Sequence, residues 1–194
     1  MARWTFVRHG ESVANRNKTL AGHTDVPLTE QGRREAVGLT EFLADVPFER
    51  ILVSDLQRAQ DTLTLALPNT KLPITVDRGL RERTIGDWEG IPRTLLREQG
   101  AMTTLLQWSE RPPQGESQQD LAVRVFQTLA HYDQPVDTVV FCHGGVLRVV
   151  LGLLDGLHPE VFSRHRYPNC TLQTREVEKD TWKSLWQRSE QAVS

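Results

Sequence analysis

Trp4-Thr5-Phe6-Val7-Arg8-His9-Gly10 decides the fold, and its outline returns far downstream as Thr138-Val139-Val140-Phe141-Cys142-His143-Gly144. Each stretch opens with a short apolar run that reads as a buried β-strand. Each run delivers a histidine to the C-terminal end of its strand, with a glycine behind it. In open α/β sheets this rim is where ligand sites gather. Arg8 also places a guanidinium beside the first histidine. Two imidazoles with arginines are the groups with which a protein can handle a phosphoryl group without a metal.

Outward from these two stretches, strand and helix alternate. Glu30 to Leu43 reads as a helix with Ala36, Val37 and Thr40 on one face, capped by Thr29. Arg50 to Val53 reads as a strand that runs into Ser54-Asp55-Leu56-Gln57-Arg58 and a helix ending near Leu67, stopped by Pro68. A third strand is predicted from Pro73 to Val76. Helices are predicted from Pro92 to Trp108, from Glu116 to His131 and from Gly145 to Leu154. Thr171 to Val177 and Thr181 to Trp186, joined by Glu178-Lys179-Asp180, read as a closing hairpin on the sheet edge. The last residues, 189–194, are expected to fray. With the strands before Arg8, Ser54 and His143 parallel and adjacent, Arg8, His9, Arg58 and His143 converge on one rim.

The chain has 194 residues, enough for one good core, and reads as a single domain over 1–194. A formal net charge of −2 gives no support for general nucleic-acid binding, so any positive field must be local. The longest apolar run, after Val139, is interrupted by His143 and Arg148, which argues against a membrane span. The first residues enter a strand at once, without a signal-peptide pattern. Cys142 and Cys170 are too few and too far apart for a disulfide scaffold or a zinc ribbon; both are expected to be reduced, in a cytoplasmic protein. Neither histidine has a partner at the spacing of a helical metal site, and no metal or cofactor is expected.

Chemistry narrows the candidates. A neutral His9 can attack phosphorus if its other ring nitrogen holds its proton against a carbonyl. Arg8, Arg58 and a protonated His143 would bind the phosphoryl oxygens. A carboxylic acid must then protonate the leaving alkoxide and afterwards activate water. Glu82 and Glu89 are the candidates, and buried walls beside phosphate charge would keep such a glutamate protonated near neutrality. His131 and His158 read as surface and loop residues, and His23 with Arg164-His165-Arg166 as solvated loops, with approach to the site mouth as the alternative. Cys142 reads as buried and inert.

In combination the motifs resemble the histidine phosphatase superfamily, the phosphoglycerate-mutase-like branch, over residues 3–172. They are Arg8-His9-Gly10-Glu11-Ser12 with Asn15, Pro27 to Gly32, Ser54-Asp55-Leu56-Gln57-Arg58-Ala59 with Thr62, Leu80-Arg81-Glu82, Gly86-Asp87-Trp88-Glu89-Gly90, Gly115-Glu116-Ser117 and His143-Gly144-Gly145. The resemblance implies a three-layer α/β/α sandwich with a mostly parallel mixed sheet and no metal requirement. It implies His9 as the phosphorylated nucleophile, Arg8, Arg58 and His143 as the rest of the phosphate pocket, and Glu82 as proton donor. Glu89 is left as a structural residue, with Asn15 and Gly144 as further phosphate contacts and Gly22 near the substrate. Ala21-Gly22-His23, where the mutases typically have Thr-Gly-Trp, and Trp88-Glu89-Gly90 resemble the phosphatase branch, as does the absence of the mutases' extra sequence. The resemblance therefore implies a phosphatase acting on a small phosphorylated metabolite, with a mutase or an inactive phospho-ligand-binding module as alternatives. Residues 91–113 are expected to form a lid that sets specificity. They offer Arg93, Arg97, Glu98, Met102, Leu105, Leu106, Trp108 and Arg111: the arginines for a second acidic group, Trp108 and the leucines for an apolar or sugar portion, while Leu95 and Leu105 are expected rather to pack on the core.

Overall fold

The computed structural model describes residues 1–191. Its centre is one five-stranded sheet built from β1 (Ala2–Arg8), β2 (Arg50–Val53), β3 (Ile74–Val76), β4 (Thr138–Cys142) and β5 (Leu172–Val177), in the spatial order β3-β2-β4-β1-β5. The first four are parallel to their neighbours; β5 pairs antiparallel with β1 at the edge. The sheet is thus mixed and mostly parallel, as the sequence implied.

Strand alternation sorts the core into two halves. Trp4, Phe6, Leu52, Val140 and Cys142 point to one face, where α6 (Gln118–His131), α7 (Gly144–Leu154) and α9 (Thr181–Gln191) cover them. Val7, Ile51, Val53, Val139 and Phe141 point to the other face, against α2 (Glu30–Ala44) and α3 (Gln57–Ala66). Strands buried on both sides explain why these runs read as continuously apolar rather than alternating. Smaller helices complete the chain: α1 (Val13–Arg16), α4 (Arg93–Glu98), α5 (Ala101–Leu106) and α8 (Pro159–Phe162).

Register places the site. Arg8 lies opposite Cys142, and Val53 opposite Phe141. The residues that leave the sheet next, His9, His143 and Ser54, therefore emerge on one rim. The His9 N–H donates to Cys142 O at 3.1 Å and the Ser54 N–H to Phe141 O at 3.0 Å, which ties these exits to the sheet.

Four expectations fail. Thr181 to Gln191 is a helix, not the second strand of a hairpin; Trp182, Leu185 and Ser189 are its buried residues, at helical spacing. Trp182 fills a slot against Trp4, Phe6 and Phe126 at ring distances of 5.2, 6.1 and 6.1 Å, and that slot overrides the hairpin suggested by the Glu178-Lys179-Asp180 turn. Ser189 is buried within this helix rather than frayed, and residues 192–194 lie outside the described residues. The segment predicted as one helix over Pro92 to Trp108 is two, α4 and α5, parted at Gly100, whose φ of 74° no helix interior accepts. Within it Leu96 and Leu105 reach the core, whereas Leu95 faces solvent. Among the described residues, no helix is long and apolar enough to cross a membrane.

Candidate active site

A cavity of about 490 Å³ opens at this rim. His9 lies in its floor, almost fully buried at the end of β1. Its Nδ1 lies 2.7 Å from Gly10 O, which fixes the proton on Nδ1 and leaves the Nε2 lone pair free. His9 O is held in turn by Asn169 Nδ2 at 2.9 Å. His143, the N-cap of α7, stands behind it with 5.2 Å between the rings. His143 Nε2 lies 2.8 Å from Ser54 Oγ, and Nδ1 is buried with no partner.

Burial pushes both imidazoles well below their ordinary pKa, and the Arg58 and Arg8 charges push the same way. His9 is therefore neutral, as a nucleophile must be. His143 is neutral too, contrary to the protonated form expected; only an arriving anion can supply the charge that would keep a proton on it.

Two guanidiniums flank His9. Arg58 is held by carbonyls of the 22–24 loop: it donates to Gly22 O at 2.8 Å and Thr24 O at 3.1 Å. Gly22 sits at φ 52°, and a Cβ there would lie 2.1 Å from Glu89 Oε1, so this turn admits only glycine. Arg8 Nη1 donates to Tyr167 O, while its Nε is buried without a partner. Asn15 lines the cavity, its amide oxygen accepting from Ser12 N–H in the α1 capping box and from Asn169 Nδ2. Gly144 lines it at the first residue of α7.

Glu82 is the one carboxylate among the described residues lining the cavity. Oε1 accepts from the Arg83 N–H at 2.8 Å and Oε2 from the Gly145 N–H at 2.9 Å. A Cβ on residue 145 would lie 2.0 Å from Oε1, so the third residue of His143-Gly144-Gly145 is glycine to admit the carboxylate. Burial pushes the Glu82 carboxyl up, but the Arg148 charge, these two N–H donors and Arg58 outweigh it and leave it below the usual range. The arginines and N–H donors therefore hold Glu82 ionised, where the sequence suggested a protonated acid. Without a phosphoryl dianion the surrounding arginines win.

Glu89 does other work. Its carboxylate accepts from the N–H groups of His23 and Thr24 and the hydroxyls of Thr24 and Thr84, and so closes the 84–89 turn onto the 22–24 loop. His23 is half-buried beneath the site, with Nε2 2.8 Å from Glu82 O, rather than solvated. Arg124 donates to the carbonyls of Gly79, Arg81 and Glu82 and pairs with Glu116 at 2.7 Å, a frame the sequence reading missed.

From the 91–113 segment, Arg93, Arg97, Met102, Leu105 and Leu106 line the cavity. Trp108 instead packs edge-on to Phe162 at 6.0 Å, and Arg111 pairs with Asp120 at 2.6 Å. Arg83 and Arg148, not singled out from sequence, also line the wall, and exposed Arg164, His165 and Arg166 form its rim. Arg148 had a readable signal: four residues after Gly144 on one helix, it shares that residue's face. His158 caps α8 in the open and His131 is exposed on α6. Burial pushes the Cys142 thiol far up and that of Cys170 up to about 12, so neither is a nucleophile.

A neutral histidine with one free ring nitrogen, flanking guanidiniums and a carboxylate form a site on an α/β sheet with the groups to hold a phosphoryl anion. The chain belongs to the histidine phosphatase superfamily (branch 1), whose sequence profile matches residues 4–189. It is 34% identical to a 2,3-bisphosphoglycerate-dependent phosphoglycerate mutase 2 of Gloeobacter violaceus, over 93% of this chain and 88% of that one. It is 32% identical to the adenosylcobalamin/alpha-ribazole phosphatase of Escherichia coli, over 86% and 85%. Its fold superposes on a mycobacterial glucosyl-3-phosphoglycerate phosphatase in complex with VO3, with a TM-score of 0.82, 27% identity, and 90% and 92% of the two chains covered.

Proposed function

We propose that the protein hydrolyses a small phosphomonoester through a phosphohistidine on His9, with Glu82 as acid and base. The observation that carries this is the His9 Nδ1 contact to Gly10 O, which presents the Nε2 lone pair to an arginine-walled cavity. Nε2 attacks phosphorus and the ester P–O bond breaks, its electron pair leaving on the alkoxide. Arg8, Arg58 and His143 hold the phosphoryl oxygens through the change of geometry. Arg8 Nε and His143 Nδ1, both buried and unpartnered, are donors free for those oxygens.

The dianion offsets the arginine charges that keep Glu82 ionised and raises its carboxyl, so a proton enters with the substrate. Glu82 gives that proton to the alkoxide. The resulting carboxylate then takes a proton from water as its oxygen attacks the phosphohistidine; the P–N bond breaks, its pair returns to Nε2, and phosphate leaves. Arg8, His9, Arg58 and Glu82 line the cavity, and His143 stands behind His9.

A second reading rests on the Gloeobacter relative: the phosphohistidine could pass its phosphoryl to a second substrate hydroxyl instead of water. That relative is covered over 88% of its length, so chain length does not separate the two outcomes.

The test is turnover with phosphohistidine trapping. Wild type should release phosphate and form an acid-labile, base-stable phosphoprotein; His9→Ala should do neither while remaining folded. Glu82→Gln should lose about 10²–10⁴-fold against alkyl phosphates and far less against p-nitrophenyl phosphate, whose leaving group needs little protonation. Equal losses on both would place the acid elsewhere. Isomerisation of a phosphoglycerate without phosphate release would favour the mutase reading.

A further inference from the structure

The phosphoryl pocket uses only part of the positive charge in the cavity. Beyond Arg8 and Arg58, the wall continues through Arg83, Arg93 and Arg148, with Arg166 at the mouth. These four come from separate segments: the residue after Glu82, the start of α4, the middle of α7 and the loop after α8. Among the described residues, no salt bridge involves any of them, whereas Arg81, Arg111, Arg124 and Arg175 each pair with a carboxylate.

Two of them also hold buried donors that nothing meets, Arg83 Nη1 and Arg93 Nε. The Arg83 guanidinium is already fixed on one side, since Nη2 donates to Leu105 O at 2.9 Å, and this leaves Nη1 set in place. Burial, then the neighbouring Arg148 charge, pushes Arg83 down to about 10; Arg148 and Arg166 act on Arg93 in the same sense. Like charges have been gathered round an open space, and unmet buried donors are costly. Glu82 alone cannot offset them, and no further carboxylate among the described residues lines the cavity. An uncharged acceptor could meet the two donors but would leave the crowded charge unanswered.

We propose that Arg83, Arg93 and Arg148, with Arg166 at the mouth, form a second anion subsite, so that the substrate is a phosphomonoester bearing a further carboxylate or phosphate. Met102, Leu105 and Leu106 supply the apolar wall beside the spacer between its two anions. The inference rests on the phosphomonoesterase reading for the orientation of the substrate. It separates candidate substrates that the fold alone leaves equal: those with one phosphate on an otherwise uncharged molecule are disfavoured.

The test compares kcat/KM within matched pairs: 3-phosphoglycerate against glycerol 3-phosphate, and fructose 1,6-bisphosphate against fructose 6-phosphate. Wild type should prefer the doubly anionic member of at least one pair by about 10–100-fold, the range of a charge-assisted contact. Which pair shows the preference identifies the second anion as carboxylate or phosphate. Arg93→Gln and Arg148→Gln, checked as folded by circular dichroism, should bring that preference towards unity. Equal kcat/KM within both pairs, or a preference that survives both substitutions, overturns the subsite. Calorimetric binding of the same pairs to His9→Ala keeps the two readings apart. Preferential binding of the doubly anionic member there, with no hydrolysis by wild type, would overturn the phosphatase reading and keep the subsite. Equal binding with brisk wild-type hydrolysis would do the reverse.

Discussion

Two imidazoles 5.2 Å apart and beside two guanidiniums coexist only because both are neutral. That has a consequence for stability. The folded protein binds fewer protons at His9 and His143 than the unfolded chain does below about pH 6.5, the ordinary value of histidine. Stability therefore stands in full above that pH and is lost as the pH falls from there towards the lowered folded values. Urea unfolding should give a smaller free energy at pH 5.5 than at 7.5, and His9→Asn, with one such group fewer, should show a shallower fall. A wild-type free energy flat across that interval would mean that one or both imidazoles are charged in the fold. At this scale the sequence was readable where chemistry attaches to a motif: Arg8, His9, Arg58, Glu82 and Gly22 lie together round one cavity. The ionised state of Glu82 was not readable. It depends on Arg148 and the Gly145 N–H, which only the folded chain brings to it.

At the scale of elements, β1, β2 and β4 were legible because strands buried on both faces leave unbroken apolar runs. The Thr181 to Trp186 stretch misled because the Glu178-Lys179-Asp180 turn after β5 reads as a hairpin turn, while the spacing of Trp182, Leu185 and Ser189 fits a helix. Tertiary packing decided between them: the Trp182 ring is fully buried against Trp4, Phe6 and Phe126. Trp182→Ala should cost about 3–5 kcal/mol by chemical denaturation, the range for removing a large buried aromatic. Under a strand assignment at the sheet edge, the same residue would be half-exposed and its loss much cheaper. The break at Gly100 was equally hidden. An apolar helical pattern from Pro92 to Trp108 does not show that one glycine takes a left-handed backbone, which turns α5 so that Leu105 and Leu106 face the cavity.

For the whole molecule, charge balance and charge placement say different things. The formal net charge is −2, yet the described lining of the cavity combines many guanidiniums with a single carboxylate. The composition gave no support for a general nucleic-acid surface, and it could not reveal a local field because acidic residues elsewhere cancel it in the sum. A concave positive mouth attracts an anionic ester before contact, and salt screens that attraction, since the Debye length shrinks from about 14 Å to about 4 Å between roughly 0.05 and 0.5 M. Over that range kcat/KM for a dianionic ester should fall several-fold, whereas kcat, measured with the cavity already filled, should change little. Arg164 and Arg166, exposed at the rim, reach the approaching substrate first; replacing both with Gln should lower kcat/KM at low salt and flatten its salt dependence. A double variant with an unchanged salt slope would place the steering charge deeper, on Arg93, Arg97 and Arg148, and make the rim a bystander.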